Sequence, residues 1–341
     1  MMPFTIRQFF AFLFLLGSLC LPAINLADDS AKAASKSTDL YSVPEGNAET
    51  LFAFIEKVQK ITPKSREEYL QKIRQSPEAI KAAAKKIMAA ESNNKSDVHK
   101  RAAGLLLQAR VDSVGWADTQ EQRRVIDDVR ATYISALQGG GGVLNIAQSA
   151  TVAQNLDRAG KSQLAADAYQ KYADLFLKTG HPQLTQIAKS YQASGRRVQL
   201  LGKSIEVTGR TIDGKAFDWK AYRGKVVLVD FWATWCGPCR AELPNIRKQY
   251  DLYHDRGFEV VGISIDRSRE ALEKFIAAEK FPWTNLHTKG ARQPTAAYYN
   301  IDAIPAAYLI DKKGKVVSRN ARGAILSQEL EKLLGTAPKR P

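Results

Sequence analysis

The chain has 341 residues, of which 45% are hydrophobic and 25% charged, and its formal net charge is +15. This composition excludes an intrinsically disordered chain, a collagen and a multi-span membrane protein, and the length predicts two domains rather than one small core. Because Lys and Arg are scattered among Asp and Glu without a basic block, we expect no nucleic-acid partner, and the positive charge favours association with an anionic membrane surface or cell-wall polymer.

The amino terminus predicts an export signal. Residues 9–21 form an apolar run of about 13 residues, which is too short to span a bilayer comfortably. Cleavage after Ala23 or Ala27 would fit the preference for small residues, so we predict a signal peptide over residues 1–27 and an exported protein of the periplasm or cell envelope. An uncleaved membrane anchor and lipidation at Cys20 remain as alternatives.

The next part of the chain predicts an all-helical domain over residues 47–198, preceded by a flexible leader at 28–46 that has no apolar periodicity. Apolar residues recur at helical spacing from Glu49 to a break at Thr62-Pro63. Further helical segments are predicted at about 66–75, 77–91, 97–113, 119–137, 143–159 and 162–178.

Two features subdivide the helical region. A run of four glycines at 139–142 cannot sustain a helix and predicts a mobile connection. Residues 156–178, with Ala165, Tyr169 and Phe176 at helical spacing, resemble a single tetratricopeptide-like hairpin. No clear repeat flanks this hairpin, so a plain helical bundle remains the alternative.

The helical pattern stops near Gly195, and residues 199–341 predict an α/β domain. The predicted strands are 205–208 and 216–219 around a turn at Asp213-Gly214, then 226–232, 258–265, 283–287, 306–310 and 315–318. Helices are predicted after the strand at 226–232, at about 268–280 and at 326–334. This alternation favours a central mixed sheet flanked by helices.

The cysteines carry the strongest chemical signal. Without the signal peptide, the chain keeps only Cys236 and Cys239, and a bridge across so short a loop constrains the unfolded chain too little to be a structural staple. Cys236 follows a strand and begins a helix, where backbone N–H groups and the helix dipole favour the thiolate, so we predict that it is the nucleophile. Cys239, one turn later across Gly237 and Pro238, can resolve the mixed disulfide.

A metal site is not expected. Structural zinc needs four ligands, and the chain has no second cysteine pair. The histidines are scattered at His99, His181, His254 and His287. We expect neither a metal nor another cofactor.

The run at 227–240, Val-Leu-Val-Asp-Phe-Trp-Ala-Thr-Trp-Cys-Gly-Pro-Cys-Arg, resembles the active-site segment of thioredoxins. The resemblance covers about residues 201–337 and is strongest with the TlpA/ResA-like branch of exported thiol:disulfide oxidoreductases, through Glu242, Pro244 and the Ile304-Pro305 pair. It implies a thioredoxin-like fold and a redox-active disulfide between the two cysteines.

The resemblance also implies roles for other residues. Asp230 would carry a proton for Cys239, with an ordinary hydrogen-bonded buried Asp as the alternative. Pro305 would follow a cis peptide bond and lie against the disulfide, which leaves the backbone of Ile304 to pair with substrate. Independently of the resemblance, the position of Trp235 beside Cys236 favours an exposed aromatic platform for the substrate.

Other residues near the cysteines have simpler interpretations. Gly237 and Pro238 are expected to complete the substrate surface, whereas Phe231 and Trp232 are expected in the core. Glu242 could tune the thiols or lie on a solvated helix face. Pro244 is expected to kink its helix.

The resemblance favours a disulfide reductase that acts on oxidised exported proteins, for example apocytochromes before haem attachment. A reductant in an oxidising compartment needs a membrane electron donor as its partner. A disulfide oxidase or isomerase is the alternative, and the helical domain could bind a partner. A peroxiredoxin-type peroxidase fits less well, because Ala233 and Val229 stand where that chemistry uses Thr or Ser and Pro.

Overall fold

A computed structural model of the protein describes residues 40–138, 146–288 and 293–336. The predicted signal peptide, most of the predicted leader and the glycine run at 139–142 lie outside these residues. Among the helices of the described ranges, none combines the length and the apolar character that crossing a membrane requires.

The predicted helical region is confirmed. Its helices are α1 (Ala48–Lys60), α2 (Arg66–Ala90), α3 (Asp97–Ser113), α4 (Thr119–Leu137), α5 (Ile146–Arg158), α6 (Ser162–Lys178) and α7 (Pro182–Val198). Side chains of Asn47, Ser65, Ser96 and Asp118 cap the first four by accepting a backbone N–H of the first turn.

One predicted boundary in this region is wrong. Residues 66–75 and 77–91 form one helix, α2, which continues through Pro77. The proline is itself buried, together with Ile80 and Ile87, and this packing outweighs the backbone hydrogen bond that a proline removes. The last helix, α7, was not predicted as a separate segment, and it ends at Val198, where the predicted helical domain ends.

An aromatic cluster fills the core between α4, α5, α6 and α7. The ring of Tyr133 lies 6.1 Å from that of Tyr172 and 5.6 Å from that of Phe176. The hydroxyl of Tyr133 accepts the backbone N–H of Ser149 at 3.0 Å, and the hydroxyls of Ser149 and Tyr191 are 2.8 Å apart. The buried phenols are therefore hydrogen-bonded, and these helices share one core.

The carboxy-terminal part contains the predicted mixed sheet, which has five strands in the order β3-β2-β1-β4-β5. The strands are β1 (Val226–Trp232), β2 (Phe258–Ser264), β3 (Thr284–Leu286), β4 (Ala306–Ile310) and β5 (Val316–Ser318). The helices are α8 (Gly237–Tyr253), α9 (Arg269–Glu279), α10 (Pro294–Tyr298) and α11 (Ala324–Leu334). Strand β1 is central, parallel to β2 and antiparallel to β4, and all seven of its residues are buried. The residues that follow β1 are thus held by the most constrained strand of the sheet.

The predicted hairpin is confirmed only at its turn. Arg210 and Ala216 form an antiparallel bridge around Asp213-Gly214, and the backbone N–H of Thr211 donates to Lys215 O at 3.0 Å. The predicted strands at 205–208 and 216–219 do not form, and Trp219 begins a short 3₁₀ helix. Ile205 and Val207 of the first arm are nevertheless buried, as the apolar alternation predicts.

Side chains of the α10 region explain why the first arm forms no strand. The backbone N–H of Glu206 donates to the Tyr299 hydroxyl at 3.1 Å, and that of Thr208 donates to Thr295 Oγ1 at 2.8 Å. These bonds satisfy backbone groups that a strand ladder would otherwise use. The short helix α10 was not predicted.

Both outer strands of the sheet pair with additional chain on their outward sides. Residues 201–204 run beside β5, where the backbone N–H of Val316 donates to Lys203 O at 2.9 Å. Thr211 forms an antiparallel bridge with Leu286 of β3.

Candidate active site

The two cysteines lie at the junction between β1 and α8. Cys236 is the N-cap of α8, and its Sγ accepts the backbone N–H of Cys239 at 3.2 Å. A disulfide joins the two residues, whose Cα atoms are 5.2 Å apart. The side chain of the first cysteine therefore occupies the positive end of a 17-residue helix, which stabilises a thiolate there once the bond is reduced.

The two neighbouring tryptophans differ in burial. Trp235 is 65% exposed, immediately before Cys236, so its ring faces solvent beside the disulfide. Trp232 is 1% exposed, packs against Phe275 and donates its indole N–H to Asn285 Oδ1 at 3.2 Å. Trp232 is a core residue, as predicted, and so is the fully buried Phe231.

Asp230 is a buried carboxyl group in the middle of β1. Side chains alternate along a strand, so Asp230 faces the same side as Leu228 and Trp232, where α8 covers the sheet. Burial and, to a smaller extent, the negative charge of Glu242 on α8 raise its pKa to about 7, while Arg322 opposes the shift. The carboxyl group can thus exchange a proton near neutral pH.

The Ile304–Pro305 peptide bond is cis, in agreement with the resemblance. It immediately precedes β4, whose first residue, Ala306, pairs with Phe231 of β1. The side chain of Ile304 packs against the apolar cluster that contains both cysteines. The segment before β4 and the disulfide therefore lie side by side.

Glu242 has a structural contact that the sequence did not indicate. Its Oε1 accepts the side-chain amide of Asn245 and the backbone N–H of Gly323, both at 2.7 Å. The interpretation as a merely solvated helix face is therefore wrong, because the carboxylate joins α8 to the start of α11. Helix α8 itself continues through Pro244.

Asp266 is a site residue that the sequence analysis missed. Its buried carboxylate accepts the backbone N–H of Thr234 at 3.1 and 3.2 Å, the Thr234 hydroxyl at 2.6 Å and the Ser264 hydroxyl at 2.8 Å. Thr234 precedes Trp235, so Asp266 fixes the turn between β1 and α8. The available signal was its position just after β2, because the carboxyl ends of parallel neighbours meet at one end of the sheet.

Within the residues that the structure describes, no group of three His, Cys, Asp or Glu side chains could hold a metal ion. The chemistry available to this site is accordingly that of two cysteines, a buried carboxyl group and the backbone around them. That the protein needs no cofactor stays an expectation.

Comparison with known proteins finds relatives of the carboxy-terminal region. A model of the AhpC/TSA family matches residues 201–319. The thiol-disulfide oxidoreductase ResA of Bacillus cereus is 32% identical over 131 residues, which cover 38% of this chain and 75% of that protein. The ResA of Geobacillus kaustophilus is 33% identical over 113 residues, or 33% of this chain and 63% of that protein.

A solved structure is similar as well. The thioredoxin domain of a thiol-disulfide oxidoreductase from Bacteroides vulgatus is 33% identical and covers 39% of this chain and 97% of its own, with a TM-score of 0.37.

Proposed function

The chain belongs to the ResA-like thiol-disulfide oxidoreductases, and from that premise we propose that it is a disulfide reductase for cysteines of exported proteins. The observation that carries the proposal is the capping of α8 by Cys236, whose sulfur accepts the backbone N–H of Cys239. A thiolate at this position is stabilised without a neighbouring base. Such a cysteine attacks disulfides at neutral pH.

The proposed reaction starts from the reduced dithiol. The Cys236 thiolate attacks one sulfur of the substrate disulfide, a mixed disulfide forms, and the other substrate sulfur leaves as a thiolate that takes up a proton. Cys239 then attacks the sulfur of Cys236 and releases the second substrate thiol. The substrate gains two electrons and two protons, and the enzyme ends with the Cys236–Cys239 disulfide.

In this scheme Asp230 accepts the proton of the Cys239 thiol during the second attack. A carboxyl group with a pKa of about 7 is well matched to this transfer, because it is partly ionised at neutral pH. Its position on the β1 face beneath α8 supports the role.

The substrate polypeptide is proposed to lie between Trp235 and the segment before β4. Gly237 and Pro238 are exposed, and the exposed ring of Trp235 offers apolar area. The backbone of Ile304 would pair with the extended substrate on the other side of the disulfide.

The cellular setting is also part of the proposal. The apolar amino-terminal run supports export, and an exported reductant needs a membrane thiol:disulfide donor that regenerates its dithiol. Apocytochromes that await haem attachment are one suitable class of oxidised substrate.

The first experiment is a redox titration of residues 28–341 in glutathione and dithiothreitol buffers, followed by Trp fluorescence, because Trp232 and Trp235 flank the disulfide. A reductase should have a midpoint near about −270 mV, whereas a midpoint near about −120 mV would indicate an oxidase and contradict the reductase assignment. Cys239→Ser is the control, which should abolish the transition and trap a mixed disulfide with substrate.

A further inference from the structure

The last turn of α7 forms hydrogen bonds with the segment 298–302, which leads to Ile304. The Arg197 guanidinium donates to the backbone oxygen of Asn300 at 2.9 Å, and the Asn300 side-chain amide donates to the buried Ser194 hydroxyl at 3.0 Å. Arg197 also lies 3.6 Å from the carboxylate of Asp302. Helix α7 therefore contacts both the backbone and the side chains of this segment, only two residues before Ile304.

The preceding residues of the segment are held in the same way. The guanidinium of Arg196 donates to the backbone oxygen of Tyr298 at 3.0 and 3.2 Å and stacks over the Tyr298 ring at 4.3 Å. Consecutive arginines of one helix thus bind alternate carbonyl groups of one short stretch of chain.

A second contact joins the helical region to the sheet beside β4. Arg319, which follows β5, forms an ion pair with Asp157 at 2.8 Å and donates to the backbone oxygen of Val198 at 3.2 Å. Burial raises the pKa of Tyr308 in β4, and both Arg197 and Arg319 oppose that shift, so the two arginines act on the same strand. The contact with the segment 298–302 is therefore made by a helix that is itself fixed to the sheet.

We propose that the helical region positions the substrate-pairing segment of the active site, with Arg197 and Ser194 of α7 as positioning residues. The inference rests on the proposed function for the statement that Ile304 pairs with substrate. Asn300 has a left-handed backbone with φ of 48°, a conformation that costs free energy for a residue other than glycine and that needs external contacts to persist. The bonds from Arg197 and Ser194 supply such contacts.

The test compares two kinds of disulfide substrate. Arg197→Ala should raise KM for insulin, whose disulfides lie in polypeptide, by about fivefold, the equivalent of one hydrogen bond, with kcat changed by less than about twofold. The rate with the small disulfide DTNB and the reduction midpoint should stay unchanged, because neither needs the backbone of Ile304. Arg197→Lys should recover part of the insulin KM, and Ser194→Ala should show the same pattern as Arg197→Ala.

Arg101→Ala is the matched control, since that arginine contacts Glu56 and Phe52 within the helical region. If Arg197→Ala folds poorly, Asp302→Asn, which removes only an exposed ion-pair partner, takes its place. An insulin KM that equals the wild-type value in the folded variants would overturn the inference.

Amide hydrogen exchange separates this inference from the proposed function. Exchange over residues 299–305 should accelerate about tenfold in Arg197→Ala and not in Arg101→Ala, whatever the enzyme reduces. Accelerated exchange in a protein that fails to reduce insulin would reject the reductase function and keep the positioning role. Unchanged exchange would reject the positioning role even in an active reductase.

Discussion

At the scale of single residues, the side chains around the disulfide differ in how well the sequence predicts their roles. Asp230 interrupts an apolar strand, and this mismatch predicts a perturbed carboxyl group. Asp266 stands in an unremarkable polar stretch, and its importance depends on Thr234, which lies 32 positions away along the chain. Motif and periodicity could therefore find the cysteines and Asp230, whereas the contact of Asp266 depends on which strands become neighbours.

Asp230→Asn should change how stability depends on pH. The folded pKa is about 7 and the unfolded value about 4, so the folded wild type binds more protons between these values and loses stability as the pH rises from about 4 to 7. The Asn variant lacks this loss. The difference in the free energy of unfolding between the variant and the wild type should therefore shift in favour of the variant by up to about 4 kcal/mol from pH 4 to pH 8. Urea unfolding of the oxidised proteins at both pH values measures the difference.

Asp174→Asn, which changes an exposed carboxylate of α6, is the control and should leave the profile unchanged. The Asp230→Asn enzyme should also release substrate from the mixed disulfide more slowly. A pH profile of stability parallel to that of the wild type would contradict the raised pKa.

Thr234→Val should destabilise the turn before Cys236 while keeping the volume of the side chain nearly the same. The valine cannot donate to Asp266, so we expect a loss of about 1 kcal/mol in the free energy of unfolding. Asp266→Ala should cost about 2 to 4 kcal/mol, because it also leaves the Thr234 N–H and the Ser264 hydroxyl without their acceptor. Urea denaturation measures both. Equal stabilities for the two variants would show that the carboxylate contributes nothing beyond the Thr234 hydroxyl.

At the scale of elements, the sequence predicted long periodic segments well and hydrogen-bond partners poorly. The central strand β1 and the helices α3 and α4 follow directly from their apolar spacing. Ile205 and Val207 are buried as their alternation requires, yet their segment is bonded by α10 side chains, which periodicity cannot reveal. The helix break predicted at Pro77 is also wrong, because α2 continues through this residue.

Strand β2 depends on a glycine where it passes under Trp232. A Cβ atom at Gly262 would overlap Asn285 Oδ1 and lie 3.0 Å from Trp232 Nε1, which disrupts the hydrogen bond between these side chains. Gly262→Ala should therefore lower the free energy of unfolding by about 1 to 3 kcal/mol. Thermal unfolding provides the measurement.

Gly104→Ala in α3 is the matched control, because nothing lies within 4 Å of its added Cβ. This second variant should gain about 0.5 to 1 kcal/mol from helix propensity. Destabilisation of similar size in both variants would indicate that the crowding at Gly262 has no specific effect.

At the scale of the whole molecule, the helical region and the sheet should unfold together, because α7 and Arg319 join them. Arg319→Ala removes two contacts, the ion pair with Asp157 and the hydrogen bond to Val198 O. The side chains of Arg319 and Asp157 are each about a quarter exposed. We expect calorimetry to resolve two transitions in this variant and one in the wild type. Arg101→Ala should keep the single transition, and a single transition in Arg319→Ala would show that the remaining contacts suffice for coupling.

The pairing of residues 201–204 with β5, and of Thr211 with Leu286 of β3, bears on aggregation. An uncovered edge strand recruits extended segments from other chains, which would be a hazard for a protein that, under the proposed function, acts on incompletely folded polypeptides. With additional chain already bonded to both margins of this sheet, such a polypeptide is directed away from them. Under the proposed function it binds instead at the Ile304 backbone, next to the sulfur that acts on it, so that contact is transient and ends when the mixed disulfide is resolved.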